Sequence, residues 1–341
     1  MRFSASAPGK AVLSGEYAVL QGAPAISMAV DCRARVTVES NDEDFHSVVS
    51  PGLAGEAKFR CTRRGQIDWL DEGRSNPDQA VLEHVWRTVQ VLPSEGLALT
   101  LDTRRFFDAE SSLKLGFGSS SALAVALTAS LARAGTANAG TRAARDVPGS
   151  AMRAHLSFQG GKGSGVDVAT AISGGVIAYV MRPDQRVKAL QWPAGLTFSL
   201  MWSGKPASTA ERLKKLERFE RNRAARMVAA RLMDASSGVL DAWEQGTAVA
   251  ILDALRTYTA ALGRFSVEHR LGVFDAGHQE LCDIADDRGF VYKPCGAGGG
   301  DIGILVAPDD ASISEFGIRA GQLGFRRLDR GIESAGLTYE H

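Results

Sequence analysis

A short glycine- and serine-rich segment, followed at once by a long apolar run, constrains this chain more than any other feature of its sequence. The segment reads KLGFGSSS at residues 114–121, and residues 119–134 are nearly all apolar or small. Gly116 and Gly118 allow the backbone to take positive φ angles and to approach a ligand closely, and serines are favoured where a helix begins. We therefore predict a buried helix that begins at this loop. Its free N–H groups and its dipole would form a phosphate-binding site.

Alone, this segment is also compatible with a serine-capped helix after a flexible turn. It is not a Walker A loop, because no GK[ST] follows its first glycine, and it lacks the third glycine of a dinucleotide-binding fingerprint. Two further segments favour a functional interpretation. Residues 160–167 (GGKGSGVD) and 293–301 (KPCGAGGGD) each carry a lysine, end in aspartate and precede an apolar run. We predict that the three loops assemble one anion-binding cleft.

Composition narrows the class of protein. The chain has 39 Lys plus Arg and 39 Asp plus Glu, so its zero net charge argues against a nucleic-acid binder. Its four cysteines are scattered, which argues against a disulfide framework or a zinc site and favours a reducing compartment. The N-terminus lacks the apolar region of a signal peptide, and no apolar run has the length of a membrane span. We therefore expect a cytoplasmic protein with neither nucleic-acid nor membrane partners.

Hydrophobic periodicity predicts a mixed α+β protein. Alternation over residues 32–39 places Cys32, Ala34, Val36 and Val38 on one face of a strand. Further strands are predicted at 96–102, 174–181, 196–202, 302–307 and 337–340. Helices are predicted at 78–92, after Pro77, at 141–158 with an interruption at Pro148–Gly149, and over much of 209–288. Charges and prolines cluster at 182–195 and suggest a boundary between two lobes.

Three motifs, in order along the chain, resemble those of the GHMP kinase superfamily. They are SAPGKAVLSGEYAV at residues 6–19, KLGFGSSSA at 114–122 and KPCGAGGGDIGI at 293–304. QGGKGSGVDVA at 159–169 and WSGKPAST at 202–209 are most similar to the branch that phosphorylates phosphomevalonate. The resemblance implies an α+β fold of two lobes, with a ribosomal-protein-S5-like ATP-binding domain at 1–187 and a ferredoxin-like domain at 188–341. It also implies ATP-dependent phosphoryl transfer to 5-phosphomevalonate in isoprenoid biosynthesis.

The resemblance also implies which residues act. Lys10 would contact the acceptor and stabilise the transition state, and Lys114 would offset charge on the transferred phosphoryl group. Asp167 takes the place of an active-site aspartate. Because a phosphate acceptor is already ionised near neutral pH, we predict that Asp167 orients Lys10 and the acceptor and does not act as a strong base. The implied cofactors are ATP and Mg²⁺, with Ser120 as the magnesium-linked serine.

Two larger sets of binding residues follow from the same resemblance. The nucleotide phosphates would be held by Gly116, Phe117, Gly118, Ser119, Ser120 and Ser121. The acceptor would be held by Lys10, Ser14, Glu16, Tyr17, Lys162, Ser164, Gly165, Lys205, Ser208, Gly298 and Gly299. The loops independently favour an acceptor with two anionic ends, because they carry five lysines: Lys10, Lys114, Lys162, Lys205 and Lys293.

One position departs from the family pattern. Mevalonate kinases carry a glutamate metal ligand on the helix before the aspartate, whereas this chain has Ala154-His155-Leu156 there. We expect His155 to be packed or hydrogen bonded, and Mg²⁺ to rely on Ser120, the nucleotide and water. The alternatives are a mevalonate kinase or another small-acid kinase of the superfamily, and a non-catalytic ligand sensor on the same fold. The oligomeric state is expected to be a monomer or a homodimer.

Overall fold

The fold consists of two antiparallel-rich sheets with helices packed against them. A computed structural model of the chain describes residues 1–62, 65–70, 76–90, 95–136, 146–207, 212, 215–216 and 223–340. Within these residues, one sheet has nine strands and the other has four. The predicted α+β class is confirmed. No helix in these described ranges is both long enough and apolar enough to cross a lipid bilayer.

The larger sheet is organised around two long paired strands, β1 (Arg2–Ser14) and β2 (Ala25–Asn41). The remaining strands of this sheet are β3 (His46–Ser50), β4 (Ala54–Cys61), β5 (Ile67–Trp69), β6 (Gly96–Asp102), β7 (Val176–Val180), β8 (Arg186–Leu190) and β13 (Thr338–Glu340). Along one path the strand order is β13-β1-β2-β6-β3-β4-β5, and β7 extends the sheet by pairing with both β2 and β8. The pairings of these strands are antiparallel except that of β3 with β6.

In the part of the chain that the structure describes, four α-helices lie with the larger sheet. Asn76 begins the first of them with a capping box, in which its side chain accepts the N–H of Gln79 and the Gln79 side chain accepts the N–H of Asn76. The second helix packs against β1 and β2 and is buried along almost its whole length. These helices are α1 (Pro77–Val89), α2 (Ser119–Thr136), α3 (Val147–Phe158) and α4 (Val166–Ser173).

The strands of the smaller sheet are β9 (Thr197–Trp202), β10 (Val291–Pro294), β11 (Ile302–Ala307) and β12 (Arg326–Leu328). They pair antiparallel in the order β10-β11-β9-β12. A separate hydrophobic core includes Met201, Tyr292, Leu305 and Phe316, which pack between this sheet and two of the C-terminal helices. The helices are α5 (Arg223–Gln245), α6 (Ala248–Glu268), α7 (His278–Asp286) and α8 (Asp310–Gln322).

The structure differs from the sequence-based expectations at two points. Pro148 does not interrupt a helix, because it lies in the first turn of α3, where Asp146 accepts the N–H of Gly149 at 2.8 Å and proline is tolerated. The segment 182–195, expected to separate two lobes, contains β8 of the larger sheet. The division at 187/188 stays a prediction. Residues 141–145 and most of 208–222 lie outside the described ranges.

Candidate active site

The predicted phosphate loop leads directly into the N-terminus of α2, which begins at Ser119. Gly116 and Gly118 have φ angles of +91° and +77°, in the left-handed region that favours glycine. Between them the Phe117 ring is fully buried, and the Phe117 carbonyl accepts a 2.8 Å hydrogen bond from the backbone N–H of Lys10. These contacts fix the loop against β1. The first N–H groups of α2 have no carbonyl one turn earlier in the helix, which suits them to an anion.

The side chain of Lys10 runs between the first and third glycine loops. A Cβ added to Gly118 would lie 3.2 Å from Lys10 Cε, and one added to Gly296 would lie 3.5 Å from Lys10 Nζ. The absence of side chains at these two glycines leaves the space that the lysine fills. The ammonium group is therefore held between the phosphate loop and the opposite wall of the site.

A cleft of about 140 Å³ opens beside Lys10. It gathers residues from the N-terminal motif, the second glycine loop and the third glycine loop, which are far apart in the sequence. A larger groove of about 580 Å³ between C-terminal helices contains none of the predicted site residues. The predicted residues that line the cleft are Lys10, Glu16, Tyr17, Lys162, Ser164 and Asp167.

A row of three polar side chains joins the phosphate loop to this cleft. Ser120 Oγ lies 3.1 Å from Nε2 of His155, which is 1% exposed. On the other side of the ring, His155 Nδ1 lies 3.7 Å from Asp167 Oδ2. Asp167 is in the first turn of α4, where its Oδ1 accepts the N–H of Val168 at 3.0 Å. His155 was expected to be packed or hydrogen bonded, and in this geometry it is both buried and within hydrogen-bond distance of Ser120.

Glu16 is held by a buried network at the wall of the cleft. It forms an ion pair with Lys293, and the two side chains are 2% and 1% exposed. The Tyr258 hydroxyl donates to Glu16 Oε2 at 2.7 Å, and the N–H of Gly296 donates to Oε1 at 3.2 Å. Burial, together with the Glu16 charge, raises the pKa of Tyr258 well above its usual value. The network joins the end of β1 to β10 and α6.

Asp301, at the end of the third loop, lies against the phosphate loop. A Cβ added to Gly116 would lie 2.8 Å from Asp301 Cγ and 3.2 Å from its Oδ2. Asp301 Oδ1 accepts the N–H of Ala207 at 3.2 Å, and the Asp301 backbone N–H donates to the Lys205 carbonyl at 2.7 Å. Burial raises the pKa of the Asp301 carboxyl, while the Ala207 N–H and the Lys10 charge oppose that rise.

Comparisons with known proteins identify the family of this chain. The model of the GHMP kinases N terminal domain matches residues 82–175. The phosphomevalonate kinase of Streptomyces sp. (strain CL190) is 31% identical over 90% of this chain and 90% of its own length. The chain belongs to the GHMP kinase family. The predicted family and its class of ATP-dependent phosphotransferases are thereby confirmed.

Two solved structures share the fold of this GHMP kinase. The Lin0012 protein from Listeria innocua has a TM-score of 0.84 and 20% identity, with full coverage of both chains. The phosphomevalonate kinase of Streptococcus pneumoniae, solved in complex with phosphomevalonate and AMPPNP, has a TM-score of 0.75 and 18% identity. That match covers 96% of this chain and 99% of the other.

Several predicted site residues of the GHMP kinase lie around the cleft and not in its lining. Lys114 is exposed, and its Nζ lies 5.9 Å from the centroid of the Phe107 ring. Lys205 is exposed and contributes its backbone carbonyl to Asp301. Ser14 is buried, and its hydroxyl has no hydrogen-bond partner among the described residues. Ser208 lies outside the described residues.

The other predicted residues shape the walls of the site. The Tyr17 hydroxyl donates to the carbonyl of Ala297 at 2.7 Å, which ties the N-terminal motif to the third loop. Gly165 caps α4, and the Ser164 carbonyl accepts the hydroxyl of Tyr179 at 2.7 Å. Gly298 and Gly299 pack near Val273, whose carbonyl accepts the N–H of Gly299 at 2.6 Å. The cofactor loop ends with Ser121, whose hydroxyl donates to the Gly118 carbonyl at 2.8 Å.

The site contacts that the sequence analysis missed include those of Asp301 and Tyr258. Asp301 was visible as the acid that ends a glycine-rich segment, and that signal could have identified it. Tyr258 lies in α6, 242 residues from Glu16, and no local pattern marks it as a partner. Lys293, expected to add positive charge for the acceptor, instead forms the buried ion pair with Glu16.

The oxygen atoms of the site are compatible with a magnesium ion that takes most of its ligands from water and the nucleotide. Among the residues the structure describes, no group of three or more His, Cys, Asp or Glu side chains could hold a metal ion. Ser120 and Asp167 do supply oxygen atoms on either side of His155. Mg²⁺ characteristically takes few protein ligands and retains water, so this sparse set fits it.

Proposed function

We propose that this GHMP kinase is a phosphomevalonate kinase. It would transfer the γ-phosphoryl group of ATP to the phosphate of 5-phosphomevalonate and give 5-diphosphomevalonate. The observation that carries the proposal is the convergence of Lys10, Lys162 and Asp167 on one cleft beside the phosphate loop. The 31% identity with the Streptomyces phosphomevalonate kinase over 90% of both chains supports the same acceptor.

The proposed acceptor explains why the cleft needs no strong base. A phosphate monoester has a second pKa of about 6, so its attacking oxygen is ionised at neutral pH. The enzyme's task is then to bring two negatively charged groups together and to stabilise the charge of the transition state. Lys10 would bridge the transferred and accepting phosphates, and Asp167 would orient Lys10 and the acceptor. Lys162 would add positive charge at the far side of the cleft.

The nucleotide would bind along the phosphate loop. The backbone N–H groups of residues 116–120 would contact the phosphates, as the start of a buried helix favours. Lys114 would move from the Phe107 ring toward the transferred group. A bound Mg²⁺ would neutralise nucleotide charge, and the Ser120 hydroxyl would be its protein ligand.

Turnover with different acceptors tests the proposal. ADP release should be measured with ATP and, in parallel, with 5-phosphomevalonate, mevalonate and homoserine. We expect kcat/KM for 5-phosphomevalonate to exceed the others by at least about 100-fold, because its phosphate adds a charged contact with the lysines of the cleft that an unphosphorylated acid cannot make. Turnover of mevalonate without turnover of 5-phosphomevalonate would establish the mevalonate kinase alternative. No turnover of any acid, with ATP still bound, would favour the ligand sensor.

Variants of two cleft residues test whether the cleft is the active site. Lys10→Ala and Asp167→Ala should each lower kcat by a factor of about 100 or more, because each removes charge or orientation at the reacting groups. Lys188→Ala is the matched control, since Lys188 is an exposed lysine of β8 paired with Glu244. The control should keep wild-type kinetics. Undiminished activity in both cleft variants would show that the site is elsewhere.

A further inference from the structure

The feature that the proposed function leaves unexplained is the buried imidazole between the phosphate loop and Asp167. His155 projects from α3, and its ring stacks on Phe158 with centroids 5.9 Å apart and planes 28° apart. Nε2 meets Ser120 Oγ at 3.1 Å, whereas buried Nδ1 makes no hydrogen bond with any described residue. Asp167 Oδ2, at 3.7 Å, faces Nδ1. A neutral imidazole has one proton to place between these two nitrogens.

The surroundings decide which nitrogen carries that proton. A bare Nδ1 lone pair would face a carboxylate oxygen, which is electrostatically unfavourable in a buried site. A proton on Nδ1 instead points at the Asp167 carboxylate. A small movement of Asp167 would bring its Oδ2 within hydrogen-bond distance of Nδ1. Nε2 is then an acceptor only. Ser120 must consequently donate its hydroxyl hydrogen to His155.

This direction determines what Ser120 can bind. With its only hydrogen committed to Nε2, Ser120 Oγ presents lone pairs alone toward the phosphate loop. Lone pairs suit a cation and repel a phosphate oxygen. We propose that His155 is a positioning residue that fixes Ser120 as an acceptor-only ligand for the cation of a magnesium nucleotide. The inference rests on the proposed use of a magnesium nucleotide, but it is independent of which acid is the acceptor.

The tautomer can be observed without any ligand. The protein should be labelled with ¹⁵N in the imidazole rings, and its six histidines recorded by long-range ¹H–¹⁵N correlation at neutral pH, with the His155 signals assigned by their loss in His155→Gln. We expect a protonated Nδ1 and an unprotonated Nε2. A protonated Nε2, in either the other neutral tautomer or the imidazolium, would overturn the proposal.

Nucleotide binding provides the second test, by calorimetry with ADP in the presence and absence of Mg²⁺. The amide of His155→Gln reaches the position of Nε2 and can accept from Ser120, whereas His155→Asn reaches only the position of Nδ1. We expect the Gln variant to keep the wild-type gain in affinity that Mg²⁺ gives. In the Asn variant the gain in affinity should be about 10-fold smaller, because removing a residue that orients a metal ligand typically weakens metal binding by about that factor. Equal behaviour of Gln and Asn would contradict the proposal.

A double-mutant cycle checks that His155 acts through Ser120. Ser120→Ala should reduce the Mg²⁺-dependent gain as much as His155→Asn does, and the double variant should lose no more than either single variant. Additive losses would mean that His155 acts by another route. These measurements use ADP and no acceptor, so their outcome does not depend on which acid is the acceptor. Urea unfolding of each variant confirms that it is folded.

Discussion

At the scale of single residues, His278 links protonation to the third glycine loop. It is fully buried, its Nε2 donates to the carbonyl of Gly300 at 3.1 Å, and its Nδ1 accepts the hydroxyl of Tyr292 at 2.8 Å. Burial lowers the pKa of His278 from 6.5 to about 4. The neutral ring is therefore the form that holds Gly300, two residues before β11 begins.

The lowered pKa of His278 predicts an acid-sensitive stability. Between about pH 4 and 6.5 the unfolded chain binds a proton that the folded chain excludes. The contribution of His278 to the free energy of unfolding is therefore fully present above pH 6.5 and is lost as the pH falls toward 4, by ~3 kcal/mol. Urea unfolding of wild type and His278→Gln should be compared across this range. Wild type should lose stability more steeply with falling pH, and parallel curves would contradict the assignment.

At the scale of elements, the phosphate loop depends on close contact with the third loop. Gly116→Ala would combine a positive φ of +91° with overlap against Asp301. We expect turnover to fall by about 100-fold or more, because a small displacement of the reacting groups is costly. Gly289→Ala is a matched control, since Gly289 has a φ of +73° and nothing within 4 Å of an added Cβ.

The control separates backbone strain from the loop contact. Gly289→Ala should destabilise the fold by about 1–2 kcal/mol through its left-handed backbone alone, and its turnover should stay at the wild-type level. If the two alanine variants lose stability and turnover equally, contact with Asp301 is not what positions the loop. Urea unfolding and ADP release on the same preparations give both quantities.

Elements with a strong local pattern were the ones that the sequence predicted well. The strand predicted at 96–102 has the bounds of β6, and Cys32, Ala34, Val36 and Val38 form the buried face of β2. The helix predicted from Ser119 begins there because an apolar run follows a capping loop. Pro148 was misinterpreted because proline both interrupts and begins helices, and only the Asp146 cap distinguishes the two cases.

Contacts between distant segments could not be predicted in the same way. The three glycine loops were expected to meet because each carries a lysine and an aspartate or a serine cap. Which side chain faces which was not accessible, since periodicity reports the face of an element and not its partner. The pairing of His155 with Ser120 spans 35 residues, and that of Lys293 with Glu16 spans 277.

At the scale of the whole molecule, the buried pair of Glu16 and Lys293 joins the two sheets. Glu16 follows β1 of the larger sheet, and Lys293 belongs to β10 of the smaller one. The Lys293 Nζ also donates to the carbonyl of Val12 at 3.2 Å. Because Glu16 lines the cleft, the same contacts that hold the sheets together also fix one wall of the cleft.

Removing one partner of this pair should therefore destabilise the whole molecule. Glu16→Gln and Lys293→Met should each lower the free energy of unfolding by about 3–5 kcal/mol, because each leaves a buried charge uncompensated. The double variant should be more stable than the sum of the two losses predicts, since neither charge then remains.

The exposed pair Lys188–Glu244 also joins the larger sheet to a C-terminal helix, and its side chains are 66% and 29% exposed. Breaking that pair should cost less than about 1 kcal/mol. Urea unfolding of all the variants measures the coupling free energy of each pair. Additive losses at Glu16 and Lys293 would show that the buried pair does not join the sheets.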